Sequence, residues 1–383
     1  MTDTGRTGAT ARLSSIDALR GLMMAIMLID HLRETWFLHW QVGDPVDVRV
    51  VAPALFFTRF VSTICAPVFV ALTGLSVWLY GQRHGTAQAS IFLLKRGAFL
   101  MLLEISFVSF AWSAKFPPAT LWLQVIWAIG VCMVVLAALI HLPRGVLIAL
   151  GFAIVAGHNL LDGIRLAPGD AFHIPWAMLH QRDAFEVAGV TIKTSYPVLA
   201  WIGVIVLGHA IGPWFAEPAT VRRRRLMTAG AAMLAGFVVL RMLDVYGDRP
   251  WAVVEDAPLR SVMAFLSLTK YPPSLLFLLL TLGVGAILLA QFEWIGRGRV
   301  FGWLTVLGGA PMFFYLLHLY VLKATYLIAM AIWGPNKGDV FGIDHIGWLY
   351  AWYAVLIVPL YIPTRWFAAL KQRRRDIGWL KYL

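Results

Sequence analysis

Cysteine is nearly missing from this chain, and charge is scarce. Only Cys65 and Cys132 occur among 383 residues, both inside apolar runs. That excludes a disulfide framework and a cysteine-based metal finger, and it leaves the two thiols as small core residues. Charged residues make up 14% of the chain, hydrophobic residues 60%, and mean hydropathy is +0.74. A soluble globular domain carries roughly 25% charged residues, so the composition predicts a polytopic membrane protein. The sequence shows no internal repeat, low-complexity tract or nucleic-acid motif, which argues against a solenoid, a disordered tether or a nucleic-acid binder.

Apolar runs long enough to cross about 30 Å of hydrocarbon lie near 18–39, 59–80, 91–113, 120–141, 144–163, 196–216, 226–244, 272–295, 303–333 and 346–367. The expected fold is therefore an all-α polytopic membrane bundle of about ten transmembrane helices. Alternate connections carry the basic residues, including Arg83, Arg144, Arg222 to Arg225, Arg297 and a tail with Lys371, Arg373, Arg374 and Arg375. The positive-inside rule then places both termini in the cytoplasm. Arg6 and Arg12 precede a long run that itself contains charges, the pattern of an uncleaved first span rather than a signal peptide.

The organisation expected is one integral-membrane domain over 1–383, with a flexible cytoplasmic segment at 1–14 and a basic cytoplasmic tail at 368–383. The net charge of +12 is concentrated in short juxtamembrane clusters, which suit anionic lipid better than nucleic acid. Two connections, about 164–195 and 245–271, are longer than simple turns and are expected to cap an external vestibule.

Arg20 and His31 stand out within the first run. Eleven steps of about 100° return almost to the starting azimuth, so the two side chains share one helix face, about 16 Å apart in rise. Ionisable groups inside a span are costly unless they face a cavity, so such a face reads as a functional site. His31 can exchange a proton near neutral pH, as general-base activation of a hydroxyl or amine requires. Asp30 is its neighbour, and a carboxylate from another helix, Glu104 or Asp162, is expected to orient it. Arg20, steadied by Asp17 one turn away, has the donor fork to hold a phosphate.

Further polar residues gather at one level. Arg33 ends the first run, His158, Asn159 and Asp162 end the fifth, Arg241 ends the seventh and Lys270 precedes the eighth, while Glu104 and His318 lie within runs. One such residue often snorkels to the interface. Their accumulation predicts a polar cavity opening outward.

Asp17-Ala-Leu-Arg20-Gly21 followed by His31 resembles the opening of the transmembrane acyltransferase superfamily. The chain is more closely similar to bacterial relatives of heparan-alpha-glucosaminide N-acetyltransferase. The matching motifs are Asp30-His31-Leu-Arg33, Cys65-Ala-Pro-Val-Phe69, Leu123 to Gly130, His158-Asn-Leu-Leu-Asp162, Tyr196-Pro197, Tyr246-Gly-Asp248, Thr269-Lys-Tyr-Pro-Pro-Ser274 and Tyr315-Leu-Leu-His318.

The resemblance implies acetyl transfer across a bacterial inner membrane, from cytoplasmic acetyl-CoA to an amine or hydroxyl of an extracytoplasmic sugar or glycan. No metal is expected. His31, Asp30, Glu104 and His39 are the catalytic candidates. Arg20, Asp17, Arg96 and His318 are those for the coenzyme, and Arg33, His158, Asn159, Asp162, Arg241 and Lys270 those for the acceptor. His39 enters because the lysosomal enzyme of this family has asparagine at the position of His31 and a histidine nearer the first external loop.

Membrane lipids and a second copy of the chain, as a homodimer, are further expected partners. The competing class is a proton-coupled transporter or a lipid or glycolipid flippase, since intramembrane histidines and carboxylates also relay protons. The lack of an internal repeat disfavours it.

Overall fold

The computed structural model describes residues 13–374 and 376–382. Residues 1–12 of the expected N-terminal segment, with Arg6 and Arg12, lie outside the described residues, as do Arg375 and Leu383 of the basic tail. The elements follow in order: α1 (Ser14–Trp36), α2 (Pro53–Ser62), α3 (Cys65–His84), α4 (Thr86–Leu103) and α5 (Ser109–Ser113). Then come β1 (Thr120–Leu123), α6 (Val125–Leu139), α7 (Arg144–Gly157), α8 (His173–Leu179), β2 (Ala184–Val187), β3 (Val190–Thr194) and α9 (Leu199–Ala210). The chain continues through α10 (Ala219–Leu243), α11 (Pro258–Leu266), α12 (Leu275–Ile295), α13 (Arg299–Gly309), α14 (Pro311–Trp333) and α15 (Ile346–Arg373).

The protein is an all-α membrane protein with one small sheet. Among the described residues, seven helical stretches, Pro53–His84, Arg144–Leu161, Leu199–Ala216, Ala219–Leu243, Leu275–Ile295, Pro311–Trp333 and Ile346–Arg373, are long and apolar enough to cross a membrane. The other expected crossings fall on α1, which carries Asp17, Arg20, Asp30, Arg33 and Glu34, on α4 and α5, which a π-helical turn at Glu104–Val108 separates, and on α6, which has 15 residues.

Two boundaries differ from the sequence expectation. The run at 120–141 opens as a strand: β1 pairs in parallel with β3, and β2 pairs antiparallel with β3, so the sheet order is β1-β3-β2 and the helix starts only at Val125. The run at 303–333 is two helices broken at Ala310. Pro311 has no N–H to continue α13, and it takes the first position of α14, where that N–H would be unpaired anyway.

Small residues let the helices approach. A side chain on Gly308 of α13 would collide with the Asp17 carbonyl of α1, and one on Gly21 with the Leu304 carbonyl, so this crossing brings backbone against backbone. Elsewhere α10 packs on α12, α4 on α6, and both α3 and α7 on α9. The outer faces of α10 and α15 expose Val238, Val239, Met242, Val358, Ile362 and Trp366, as expected of surfaces that meet lipid rather than water. A second small core joins Val42, Val48 and Val51 to Leu55 and Phe56 of α2 and to Met263 of α11.

Candidate active site

Arg20, Met24, Met27 and His31 follow one another at helical spacing along a single face of α1, as the periodicity predicts. The first three line a cavity of about 300 Å³ that also takes in Ser76 of α3, Arg96 of α4, Met133 of α6, Tyr315 of α14 and Lys371 of α15. Arg20 is held in place by Asp17 Oδ1 at 3.3 Å and by the Ser76 hydroxyl. Three cationic side chains therefore share a chamber lined mainly by apolar residues and a few hydroxyls, and Tyr382 stacks on Phe92 at its edge.

At the other end of the face, His31 is 9% exposed and His318 of α14 is 0% exposed. His31 Nδ1 lies 2.7 Å from His318 Nε2, and His318 Nδ1 lies 2.6 Å from the Phe314 carbonyl one turn earlier in α14. A carbonyl only accepts, so His318 carries its proton on Nδ1 and, as a neutral ring, presents a lone pair at Nε2. His31 Nδ1–H then donates to that lone pair. The consequence is a fixed tautomer: His31 Nε2 is left as the unprotonated, basic nitrogen.

Aromatic rings frame this pair. Trp112 meets His31 edge to face at 5.3 Å between ring centroids, and Tyr315 does so at 5.8 Å. Tyr315 also lines the Arg20 cavity, so one side chain belongs to both the cationic chamber and the histidine pair. The Trp112 indole N–H is buried near the Tyr315 hydroxyl, without a hydrogen bond of good geometry among the described residues.

The chain matches the family model described as heparan-alpha-glucosaminide N-acetyltransferase, catalytic, over residues 12–246. It belongs to that family. No curated protein matches it. For a member of the heparan-alpha-glucosaminide N-acetyltransferase family, membership implies a membrane acetyltransferase, a family in which acetyl-CoA is the general donor. The match covers α1 through α10 and so includes Arg20 and His31, whereas Lys270 and His318 fall beyond it.

The remaining residues sort by their partners. Asp30 pairs with Arg33 at 2.9 Å, and Arg33 also reaches Glu34 at 3.2 Å. Lys270 is buried, its ammonium over the Tyr271 ring at 5.2 Å. Burial alone would lower its pKa, but Tyr271 and Asp30 outweigh that and hold it above the ordinary lysine range.

The loop that carries Lys270 is gripped from two sides by carboxylates that the sequence reading did not single out as site residues. Asp44 accepts from the backbone N–H groups of Lys270 and Tyr271 and pairs with Arg59 at 3.0 Å. Asp248 accepts from Thr269 N–H, Thr269 Oγ1 and Ser274 Oγ. The available signals were Asp44 before a proline in the loop after α1, and the Tyr-Gly-Asp motif.

Glu104, expected to orient His31, has a different partner. Its carboxylate accepts from Trp127 N–H at 3.2 Å, in the first turn of α6, where helix N–H groups lack internal partners. Asp162, the other expected orienting group, pairs with His180 at 2.9 Å and with Asn159. The imidazole of His318 takes the place expected for either carboxylate beside His31.

Arg241 is 1% exposed and spends its donors on the backbone carbonyls of Phe265, Arg249, Ala264 and Ser267, which ties α10 to α11. His39 lies in the short turn after α1, stacked on Phe37 and against Gly342, apart from the histidine pair.

Proposed function

We propose that the chain moves an acetyl group from acetyl-CoA, bound at the Arg20 end of the cavity, to an amine or hydroxyl of a sugar or glycan, with His31 as the general base. The observation that carries this reading is the hydrogen-bond chain from the Phe314 carbonyl through His318 to His31, which leaves His31 Nε2 basic beside a residue that lines the cationic cavity. Arg20, Arg96 and Lys371 offer charge for the coenzyme phosphates, and the methionines of α1 offer an apolar path for its arm toward Tyr315.

In the reaction, the acceptor N–H or O–H gives its proton to His31 Nε2 as its heteroatom attacks the thioester carbonyl. A C–N or C–O bond forms, the C–S bond breaks, and the coenzyme leaves as a thiolate that takes up the proton from His31 Nε2, which returns the ring to its basic form. His31 passes no proton to His318 in this scheme. The His318 lone pair holds Nδ1–H in place and stabilises the imidazolium that forms, the role a carboxylate plays in other histidine sites. The Trp112 N–H, held only weakly by Tyr315, is a donor available to negative charge building on the carbonyl oxygen. The Asp30–Arg33 pair and Lys270 provide charged groups toward which a polar acceptor can orient.

The accompanying topology is about ten spans with both termini in the cytoplasm of a bacterial inner membrane, so that donor and acceptor meet from opposite faces. In sealed right-side-out vesicles, luminal acetyl-CoA should then be a good donor and externally added acetyl-CoA a poor one. Equal use of both contradicts the proposal.

A further inference from the structure

A second cluster of chemically capable side chains lies away from the histidine pair, where α7 ends. His158 opens the short 3-10 turn His158–Leu161 and Asp162 follows it directly. His180 follows α8 directly and comes from the 164–195 segment. One donor atom from each of the three lies within 4.8 Å of the others. We propose that His158, Asp162 and His180 bind a divalent transition-metal ion of the zinc type, which fastens the 164–195 segment to the end of α7.

The protein alone leaves these groups poorly satisfied. His158 is 2% exposed, and neither of its ring nitrogens has a hydrogen-bond partner among the described residues. His180 is also buried; its Nε2 faces Asp162 Oδ1 at 2.9 Å, while its Nδ1 is buried without a partner. A buried polar group left unpaired destabilises the fold. A bound ion would satisfy one nitrogen of the His158 ring, which the protein alone leaves with no partner at all among the described residues.

The donor set selects the ion. Two imidazoles and a carboxylate make a three-ligand zinc site whose fourth position stays open to water, whereas calcium and magnesium favour oxygen ligands throughout. Bonds of about 2.0–2.2 Å put ligand atoms roughly 3.4 Å apart on a tetrahedral ion, so the His180–Asp162 pair, now at 2.9 Å, opens slightly to admit it while His158 closes in, changes that side-chain rotation supplies. To ligate through Nε2 beside Asp162, His180 is neutral with its single proton on Nδ1, and the proton that Nε2 carries toward Asp162 without the ion is released on binding.

The surroundings support the carboxylate as they do in metal sites. Asn159 Nδ2 donates to Asp162 Oδ2 at 2.9 Å, while Asn159 Oδ1 accepts from Leu275 N–H at the start of α12. Metal binding would therefore tie together α7, the 164–195 segment and α12. The same contacts give His158, Asn159 and Asp162 a role distinct from the acceptor binding expected of them from sequence.

The test uses the full chain in detergent, purified through a tag without histidine, stripped with a chelator and titrated with Zn²⁺. Bound metal is read by mass spectrometry, and Co²⁺ serves as a spectroscopic substitute. The expected result is about one tightly held Zn²⁺ per chain, with visible absorption of low-coordinate Co²⁺ and a higher melting temperature with Zn²⁺ than without. His158→Gln and His180→Gln should each weaken binding at least about tenfold, while His31→Ala leaves it unchanged. Wild-type protein that takes up no stoichiometric Zn²⁺, or that binds it no better than the His158→Gln, His180→Gln double variant, overturns the proposal. Because the wild-type titration decides it, a variant that fails to fold does not rescue the idea.

Discussion

His318 Nε2 lies 2.7 Å from His31 Nδ1, although 287 residues separate the two in the chain. The Phe314 carbonyl fixes the proton on His318 Nδ1, and this single contact decides which nitrogen of His31 is basic. His318→Phe, which removes the lone pair but keeps a ring, should lower kcat about tenfold or more with little change in KM for acetyl-CoA. His318→Gln, whose carbonyl can still accept from His31, should retain more activity than Phe. Steady-state kinetics of the two variants check this order, and equal losses would reduce His318 to packing.

Arg20 anchors the other end of the face. A charge-assisted hydrogen bond is worth about 1.5–3 kcal/mol, so Arg20→Ala should weaken acetyl-CoA binding about tenfold to a hundredfold. Arg20→Lys keeps the charge but loses the planar fork and should fall between. Calorimetric titration of the three proteins measures it, and unchanged affinity in the Ala variant would leave Arg20 a structural residue, held by contacts such as those to Asp17 and Ser76.

Trp112 presents a buried N–H next to His31. Trp112→Phe preserves an aromatic edge against the imidazole and removes the donor. Loss of one oxyanion donor costs about 100- to 1000-fold in kcat. The variant should show a fall of that order in turnover while still binding acetyl-CoA; wild-type turnover would remove Trp112 from the mechanism.

The α1–α13 crossing can be tested through stability alone. Gly308→Ala drives a methyl group into the Asp17 carbonyl, whereas a methyl at Gly302 of the same helix meets nothing within 4 Å. Overpacking typically costs about 1–3 kcal/mol. Thermal unfolding in detergent should show Gly308→Ala clearly destabilised and Gly302→Ala at or slightly above wild type, since alanine favours helix.

Much of this architecture was legible from sequence. Hydropathy identified an all-α membrane protein, and the spacing of Arg20 and His31 placed both on one face of α1, because those features are local and periodic. The pairing of His31 with His318 was not legible, since it depends on how α14 packs beside α1. A carboxylate within an apolar run reads the same whether it serves a base or caps a helix, so Glu104 seemed a partner for His31 when its oxygen in fact meets the start of α6. The strand at Thr120–Leu123 escaped notice because its pairing with β3 is long-range. The break before Pro311 had a local signal in the proline itself, masked by the apolar residues on both sides.

The central claim is that His31 Nε2 takes the acceptor's proton. General-base catalysis contributes about 100- to 10,000-fold. The most direct measurement is therefore single-turnover acetyl transfer by His31→Ala beside wild type and His39→Ala, with acetyl-CoA binding measured on the same preparations. The account predicts that His31→Ala binds acetyl-CoA normally and loses at least about a hundredfold in transfer rate, while His39→Ala behaves as wild type. Transfer at the wild-type rate by folded His31→Ala, or a loss that appears in His39→Ala instead, would contradict it.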